Sequence, residues 1–245
     1  MVYIVLPAYN EEEGLVPLLE EIKYNMEESS LSYRVIDVDD GSTDNSCAVV
    51  EEISRTMPVT LMKHPQNRGL TETVKTGLFE AVRMSQKNDI IITMDADNTH
   101  SPGLIMRMVR MIREGYDVVI ASRYLKDSRV IGVPFFRQIL SLGASLLCRV
   151  TFPIRGVKDY TSGYRAYKAQ TIKEMFDVYG KDFINQPGFA CMLDILLKLR
   201  NYPLMMGEVP LILRYDQKHS TSKMNVKFTI LQTLSLLLRR RFNIN

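Results

Sequence analysis

The stretch Ile90-Ile91-Ile92-Thr93-Met94-Asp95-Ala96-Asp97 constrains the fold most, because a short apolar run ends in two acids one residue apart. Apolar runs of about four to eight residues bounded by polar ones fit an interior strand of a parallel α/β sheet, covered by helices on both faces. Ligands of such sheets collect beyond the strands' carboxyl ends. Asp95 and Asp97 therefore fall where a ligand sits. Two hard oxygen donors that leave most of a coordination sphere open suit Mg2+ or Mn2+ shared with a diphosphate. For Asp-x-Asp alone, a solvated strand-end turn is the competing reading.

Two further segments repeat the arrangement. Val35-Ile36-Asp37-Val38-Asp39-Asp40-Gly41-Ser42-Thr43-Asp44 runs from strand-type residues into a glycine turn, with a helix expected from about Asn45. The chain opens with Val2 to Leu6 leading into Pro7-Ala8-Tyr9-Asn10-Glu11, then the helical spacing Leu15, Leu18, Leu19, Ile22. Right-handed crossovers bring three such loops to one crevice. There Tyr9 could stack on a base, Glu11 and Asp39 could accept from base N–H or ribose hydroxyl groups, and a metal on Asp95 and Asp97 could hold a diphosphate. The expected ligand is a metal-bound nucleotide. Asp37, on the opposite face from Val38, reads as a surface charge.

Taken in order, Pro7-Ala8-Tyr9-Asn10-Glu11, Val38-Asp39-Asp40-Gly41-Ser42-Thr43-Asp44, Asn67-Arg68-Gly69-Leu70, Asp95-Ala96-Asp97 with His100 and Pro102, Ser122-Arg123-Tyr124 and Thr161-Ser162-Gly163-Tyr164-Arg165 resemble glycosyltransferase family 2. Within it they look most like the dolichol- or polyprenyl-phosphate mannosyl- and glucosyltransferases. The resemblance implies a GT-A fold, a single-domain α/β architecture with a Rossmann-like, mostly parallel sheet flanked by helices. It also implies a nucleotide-sugar donor, GDP- or UDP-linked, Mg2+ or Mn2+ on Asp95 and Asp97, and inversion at the anomeric carbon. Pro7, Tyr9, Glu11, Asp39, Asp40, Asp95 and Ala96 would line the donor, with Lys223 closing on its diphosphate. A catalytic domain at 1–223 is expected, with a nucleotide half to about 124 and an acceptor half from about 125, followed by an amphipathic helix at 224–245.

Composition agrees with one sizeable domain. No linker-like tract interrupts the 245 residues. Cys47, Cys148 and Cys191 have no metal-site spacing and cannot all pair, which points to a reducing, cytoplasmic setting. The chain starts directly with a strand, so no signal peptide is expected. A net charge of +3 gives no reason to expect nucleic acid as a partner. The basic residues cluster in the second half, where Arg123, Arg129, Arg137, Arg149, Arg155 and Arg165 surround the apolar segment 131–152.

Phe135, Phe136, Ile139, Leu142 and Leu146 form a helix-spaced apolar stripe, too short to span a bilayer. It fits a helix lying on a membrane surface or one packed on the protein's own core. The same two readings apply to Ile230, Leu231, Leu234, Leu237 and Leu238 ahead of Arg239-Arg240-Arg241. On a helix, Arg137 and Ser141 share a face at i and i+4 and could grip one phosphate. Arg123, Arg137 and Ser141 resemble the acceptor-phosphate residues of the polyprenyl-phosphate branch. Arg214 with Ser222-Lys223 resembles its later basic motif over the donor diphosphate.

The expected reaction moves one hexosyl unit to polyprenyl or dolichyl phosphate at the cytosolic membrane face, with the enzyme peripheral there and room for a separate membrane-anchoring subunit. The expected catalytic set is Asp97, Arg123, Arg214 and Asp159, the last as base or acceptor orienter, with Asp194 a second candidate base. A phosphomonoester with a second pKa of about 6 hardly needs a base, whereas a hydroxyl does. A soluble family 2 enzyme acting on a hydroxyl acceptor is the alternative. Thr71, Thr73 and Thr99 depart from the family pattern, and Tyr215 to Lys218 reads as an insertion. With no Trp, the chain lacks the signature of processive polysaccharide synthases. His64, His100 and His219 are too scattered for zinc, and His100 could order the metal loop.

Overall fold

In a computed structural model, described over residues 1–218 and 226–242, the three strand–loop–helix units form as expected. They are β1 (Val2–Ala8) with α1 (Glu12–Glu28), β2 (Tyr33–Asp39) with α2 (Ser46–Ile53), and β4 (Ile90–Thr93) with α4 (Ile105–Arg113). β3 (Val59–Lys63) and α3 (Leu70–Met84) lie between the second and third. β5 (Val118–Ser122), β7 (Arg165–Lys168) and β8 (Met206–Pro210) complete a seven-stranded sheet of order β3-β2-β1-β4-β7-β5-β8. All neighbours are parallel except β7, which runs antiparallel between β4 and β5. The parallel strands aim their carboxyl ends at one edge, the condition for a shared crevice. A parallel two-stranded ribbon, β6 (Arg129–Ile131) with β9 (Ile212–Arg214), stands beside it.

Strand alternation divides the core into two layers. Val5, Ile36, Val38, Ile91 and Ile120 face α3, α6 (Ala169–Tyr179) and α7 (Ala190–Leu199), while Ile4, Leu6, Val35, Ile92 and Val119 face α1 and α4. Gly77 lets α3 approach the sheet, since a Cβ there would collide with Val5. Cys148 and Cys191 are core residues; Cys47 is half-buried.

Asp37 is not a surface charge. It is wholly buried with neither carboxyl oxygen hydrogen-bonded, and burial, reinforced by Asp39, pushes its pKa up to about 8. An unfolded Asp titrates near ~3.9. Between those values the native state holds more protons, so this group's contribution to stability is full below about pH 4 and falls as pH rises to about 8. Wild type is expected to lose about 3–4 kcal/mol between pH 5 and 8 from Asp37, and Asp37→Asn to abolish that slope. Urea unfolding at the two pH values measures it.

α5 (Phe135–Thr151) and α8 (Val226–Phe242) are the two apolar helices of the second half. α8 packs Thr233, Leu236 and Leu237 inward and leaves Leu231, Leu234 and Leu238 exposed, so Leu237 turns away from the rest of the expected stripe. Arg240 reaches in to Asp194 (2.7 Å), which also takes Lys198 (2.5 Å). Asp194 is thus sealed at 0 % exposure in an ion cluster that fastens α8 to α7, which removes it as a candidate base.

Candidate active site

The crevice is knitted from the loops after β1 and β2. Asn10, at φ +51°, accepts from the Thr43 N–H (2.8 Å), and its own N–H donates to the Ser42 hydroxyl (2.8 Å). The Glu11 N–H donates to Ser46 Oγ at the start of α2 (2.9 Å). Asp39 turns one oxygen onto the Gly41 and Ser42 N–H groups and keeps Oδ1 buried without a hydrogen bond, an acceptor left for a ligand donor. Pro7, next to last in β1, pairs with Val38 of β2, and Tyr9 is half-buried in the loop beyond.

Asp40, expected on the nucleotide, is turned to the protein instead. Its oxygens accept from His64 Nδ1 (2.7 Å) and from the Arg68 and Gly69 N–H groups (2.9 and 2.7 Å), fixing the third loop at the head of α3. Gly41 makes that closure possible: its φ is +72°, and a Cβ would stand 2.6 Å from the Gln66 carbonyl carbon.

Asp95 and Asp97 occupy the loop after β4. His100 Nδ1 accepts from the Asp95 N–H (3.2 Å), and its ring stacks on Tyr164 (5.0 Å between centroids). Ala96 is buried, and α1 packs so tightly here that a Cβ on Gly14 would touch Ala96 and Asp97 backbone at 3.4 Å. Asp97 Oδ1 accepts from the Thr99 hydroxyl (2.7 Å) and N–H (3.2 Å), while Oδ2 meets the Lys218 ammonium. Burial disfavours the charged form of Asp97, but Lys218 and Thr99 hold its carboxyl below the usual range. Among the described residues no three His, Cys, Asp or Glu side chains form a metal cage. Two carboxylates with an ammonium already standing on one of them nevertheless fit a cation whose remaining ligands come from a diphosphate, as Mg2+ or Mn2+ prefers.

On the opposite wall Arg123, just beyond β5, is clamped by Asp159. Asp159 accepts from Arg123 Nε and Nη2 (2.8 and 2.7 Å) and from the Arg123, Thr161 and Ser162 N–H groups. Burial disfavours charge on both groups, yet the pairing lowers the Asp159 pKa and raises that of Arg123. An acid fully buried, saturated and held below its usual range is built to orient Arg123 and is poorly suited to take up a proton. Glu208 supports it by accepting from the Lys158 and Asp159 N–H groups (2.6 Å each). The Arg123 guanidinium lies over the Tyr124 ring (5.5 Å), and the Tyr124 hydroxyl donates to Ser141 on α5 (2.9 Å). Arg137, one turn earlier, donates to the Tyr215 hydroxyl (3.0 Å). Tyr124 thereby links Arg123 to Ser141, while Tyr215 takes Arg137, which shares the first turns of α5 with Ser141.

Arg214 sits close to the metal loop, its N–H donating to Thr99 O (2.9 Å), but its guanidinium is turned onto Asp216 (2.9 Å). His219, Ser222 and Lys223 lie outside the described residues. Sequence reading missed Tyr124, Tyr215, Glu208 and Lys218. Only Tyr124 carried a signal, its place in the Ser122-Arg123-Tyr124 motif.

A family model described as "Glycosyl transferase family 2" matches residues 3–182. The chain is 32% identical over 198 residues to a dolichol-phosphate mannosyltransferase of Pyrococcus furiosus, covering 80% of this chain but only 52% of that protein, about half its length. It is 26% identical to the polyprenol monophosphomannose synthase of Mycolicibacterium smegmatis, over 91% of this chain and 80% of the relative. Identity is also 26% to a UDP-N-acetylglucosamine–dolichyl-phosphate N-acetylglucosaminyltransferase of Methanococcus voltae, over 92% and 90% of the two chains. The fold matches that of glucosyl-3-phosphoglycerate synthase from Mycobacterium tuberculosis, crystallised with Mn2+, UDP and phosphoglyceric acid: TM-score 0.69 and 17% identity over 100% of this chain and 79% of that one.

Proposed function

The chain belongs to glycosyltransferase family 2 and has its GT-A fold, and from that premise we propose that it transfers one hexosyl unit, with inversion, from a nucleotide diphosphate sugar to a polyprenyl phosphate at the cytosolic face of a membrane. The observation that carries this reading is the clamped Arg123, linked through Tyr124 to Ser141, which lies one turn after Arg137 near the start of an apolar helix. A guanidinium held rigidly by a buried carboxylate binds a phosphate with little further loss of freedom. Relatives named for transfer to dolichyl or polyprenyl phosphates support the same acceptor class. Their names divide between mannose and N-acetylglucosamine, so the proposal stays with a hexosyl unit.

Residues 1–124 would serve the donor. Tyr9 would stack on the base, the free Asp39 oxygen and Glu11 would accept from base or ribose, and Asp95 and Asp97 would hold the ion, which when bound neutralises charge on the departing diphosphate. Residues from about 125, with Arg123 just ahead of them, would chiefly serve the acceptor. Arg123, Arg137 and Ser141 would set its phosphate oxygen in line with the anomeric carbon. That oxygen is already largely deprotonated at pH 7, so the absence of an available base among Asp159 and Asp194 is no obstacle. A hydroxyl acceptor would need such a base.

α5 supplies the membrane contact in this reading. Phe135, Phe136 and Val150 are 76, 68 and 77 % exposed, and Leu142 and Leu146 lie on the same open side. No helix among the described residues is long and apolar enough to cross a bilayer. Exposed aromatic and aliphatic side chains next to arginines fit an interfacial helix on anionic lipid. Phe135→Glu with Phe136→Glu is expected to weaken binding to anionic phospholipid vesicles roughly tenfold or more in sedimentation assays. Unchanged sedimentation would remove the membrane role.

The deciding experiment incubates the protein with labelled UDP- and GDP-hexoses, Mn2+ and a short polyprenyl phosphate. Labelled lipid phosphate is the expected product. Transfer confined to water or to a hydroxyl acceptor would overturn the assignment.

A further inference from the structure

Lys218 belongs to the segment Tyr215 to Lys218 that the sequence marks as inserted, yet its ammonium stands on Asp97 Oδ2 with a side chain only 10 % exposed. Three carboxylates, Asp97, Glu11 and Asp95, all raise its pKa against the burial that lowers it. The short turn that carries it is pinned at its start and middle. Arg214 of β9 donates its N–H to Thr99 O, two residues from Asp97, and Gly132 beside β6 packs so close that a Cβ would stand 2.7 Å from the Asp216 nitrogen. The Lys218 ring contact with Tyr215 (5.9 Å) and the Arg137–Tyr215 hydrogen bond continue the chain toward the acceptor arginine.

We propose that Lys218 is a two-position residue: counter-ion of Asp97 while the metal position is empty, and a ligand of the donor diphosphate once a divalent ion is on Asp95 and Asp97. The inference rests on the donor reading above and deepens it. A cluster of carboxylates without a cation repels itself, and one ammonium relieves that repulsion. A divalent ion on the same oxygens both outcompetes and repels the ammonium. A diphosphate arriving with the ion offers several anionic oxygens beside it. Lysine suits such a move, because its charge rides on a flexible four-carbon stem and can shift several ångströms while the backbone stays fixed. The consequence is cooperation between metal and donor: each binds better with the other present, because only together do they rehouse Lys218.

Lys218→Met and Lys218→Arg test this. Mn2+ alone, titrated by electron paramagnetic resonance, is expected to bind Lys218→Met about tenfold tighter than wild type, since its competitor is gone. UDP or GDP titrated calorimetrically in saturating Mn2+ is expected to bind the same variant about tenfold more weakly, since a phosphate contact is gone. Lys218→Arg keeps the charge but not the flexible point-charge head, so its shifts should have the same signs as those of Lys218→Met and be smaller in both titrations. Equal Mn2+ affinity in wild type and Lys218→Met, no Mn2+ binding by either, or a change of the same sign in both titrations would overturn the proposal. The Mn2+ titration needs no donor and so judges the competition by itself. Failure of wild type to bind any nucleotide would count instead against the donor reading and against the second position of Lys218.

Discussion

Asp97→Ala is expected to reduce hexosyl transfer about a thousandfold while leaving the protein folded. The magnitude follows from its position. Asp97 lies after β4 with a side chain 14 % exposed, oriented through Oδ1 by Thr99 and already facing a cation through Oδ2. Stabilising charge on a departing diphosphate contributes several kcal/mol to the barrier, roughly 10²–10⁴ in rate, and a single carboxylate that places the ion controls most of it. Asp97→Asn keeps the shape and the Thr99 hydrogen bond but not the charge, so it should fall nearly as far. Asp40→Asn provides the contrast. Asp40 holds the Arg68–Gly69 loop rather than facing a ligand, and its substitution should lower melting temperature more than the rate of the folded enzyme. Steady-state rates in saturating Mn2+, set beside thermal melts, separate the two. Transfer by Asp97→Ala within tenfold of wild type would mean that the ion, if it acts at all, is held elsewhere.

What the sequence revealed of this site and what it concealed divide along contact distance. The strand ends could be read because apolar runs, glycine turns and acids are local features. Those features alone put Asp39, Asp95 and Asp97 at one sheet edge. The Thr161–Arg165 motif carried a family resemblance but gave no sign of the strand β7 that begins at Arg165. Its antiparallel insertion between β4 and β5 is decided by pairing with strands far away along the chain, which no local pattern encodes.

Charge pairs were the least legible. Arg123 meets Asp159 across 36 positions, Arg240 meets Asp194 across 46, and Lys218 meets Asp97 across 121. Each partner alone reads as a surface charge or a catalytic candidate, and only the fold tells a clamp from a base. Exposure was ambiguous for a related reason. The apolar stripes of α5 and α8 look alike in sequence, and both leave large side chains open, but α8 turns Leu237 inward and is fastened by Arg240, whereas α5 leaves Phe135, Phe136 and Val150 open.

Asp159→Ala should cost about 3–5 kcal/mol of folding stability and most of the transfer activity, because it strands Arg123 without its partner in a buried wall. The pH dependence has a definite sign. The carboxyl titrates lower in the folded state than the ordinary ~3.9, so its contribution is present above that value and is lost as pH falls through the folded-state pKa. Wild type should therefore lose stability in acid below about pH 4, and Asp159→Asn should lose less over the same range. Stability and catalysis can then be parted by removing both charges. Arg123→Met with Asp159→Leu replaces a buried ion pair by apolar groups of similar volume, a change that is often neutral or stabilising. This double variant should recover the part of the stability that Asp159→Ala loses through the stranded guanidinium, though not the part lost from the unpaired Arg123, Thr161 and Ser162 N–H groups, yet transfer to lipid phosphate should remain at background. That pattern is what a positioned acceptor guanidinium predicts. Were the double variant to transfer normally, the clamp would serve folding alone and the acceptor phosphate would have to be held by Arg137 without it.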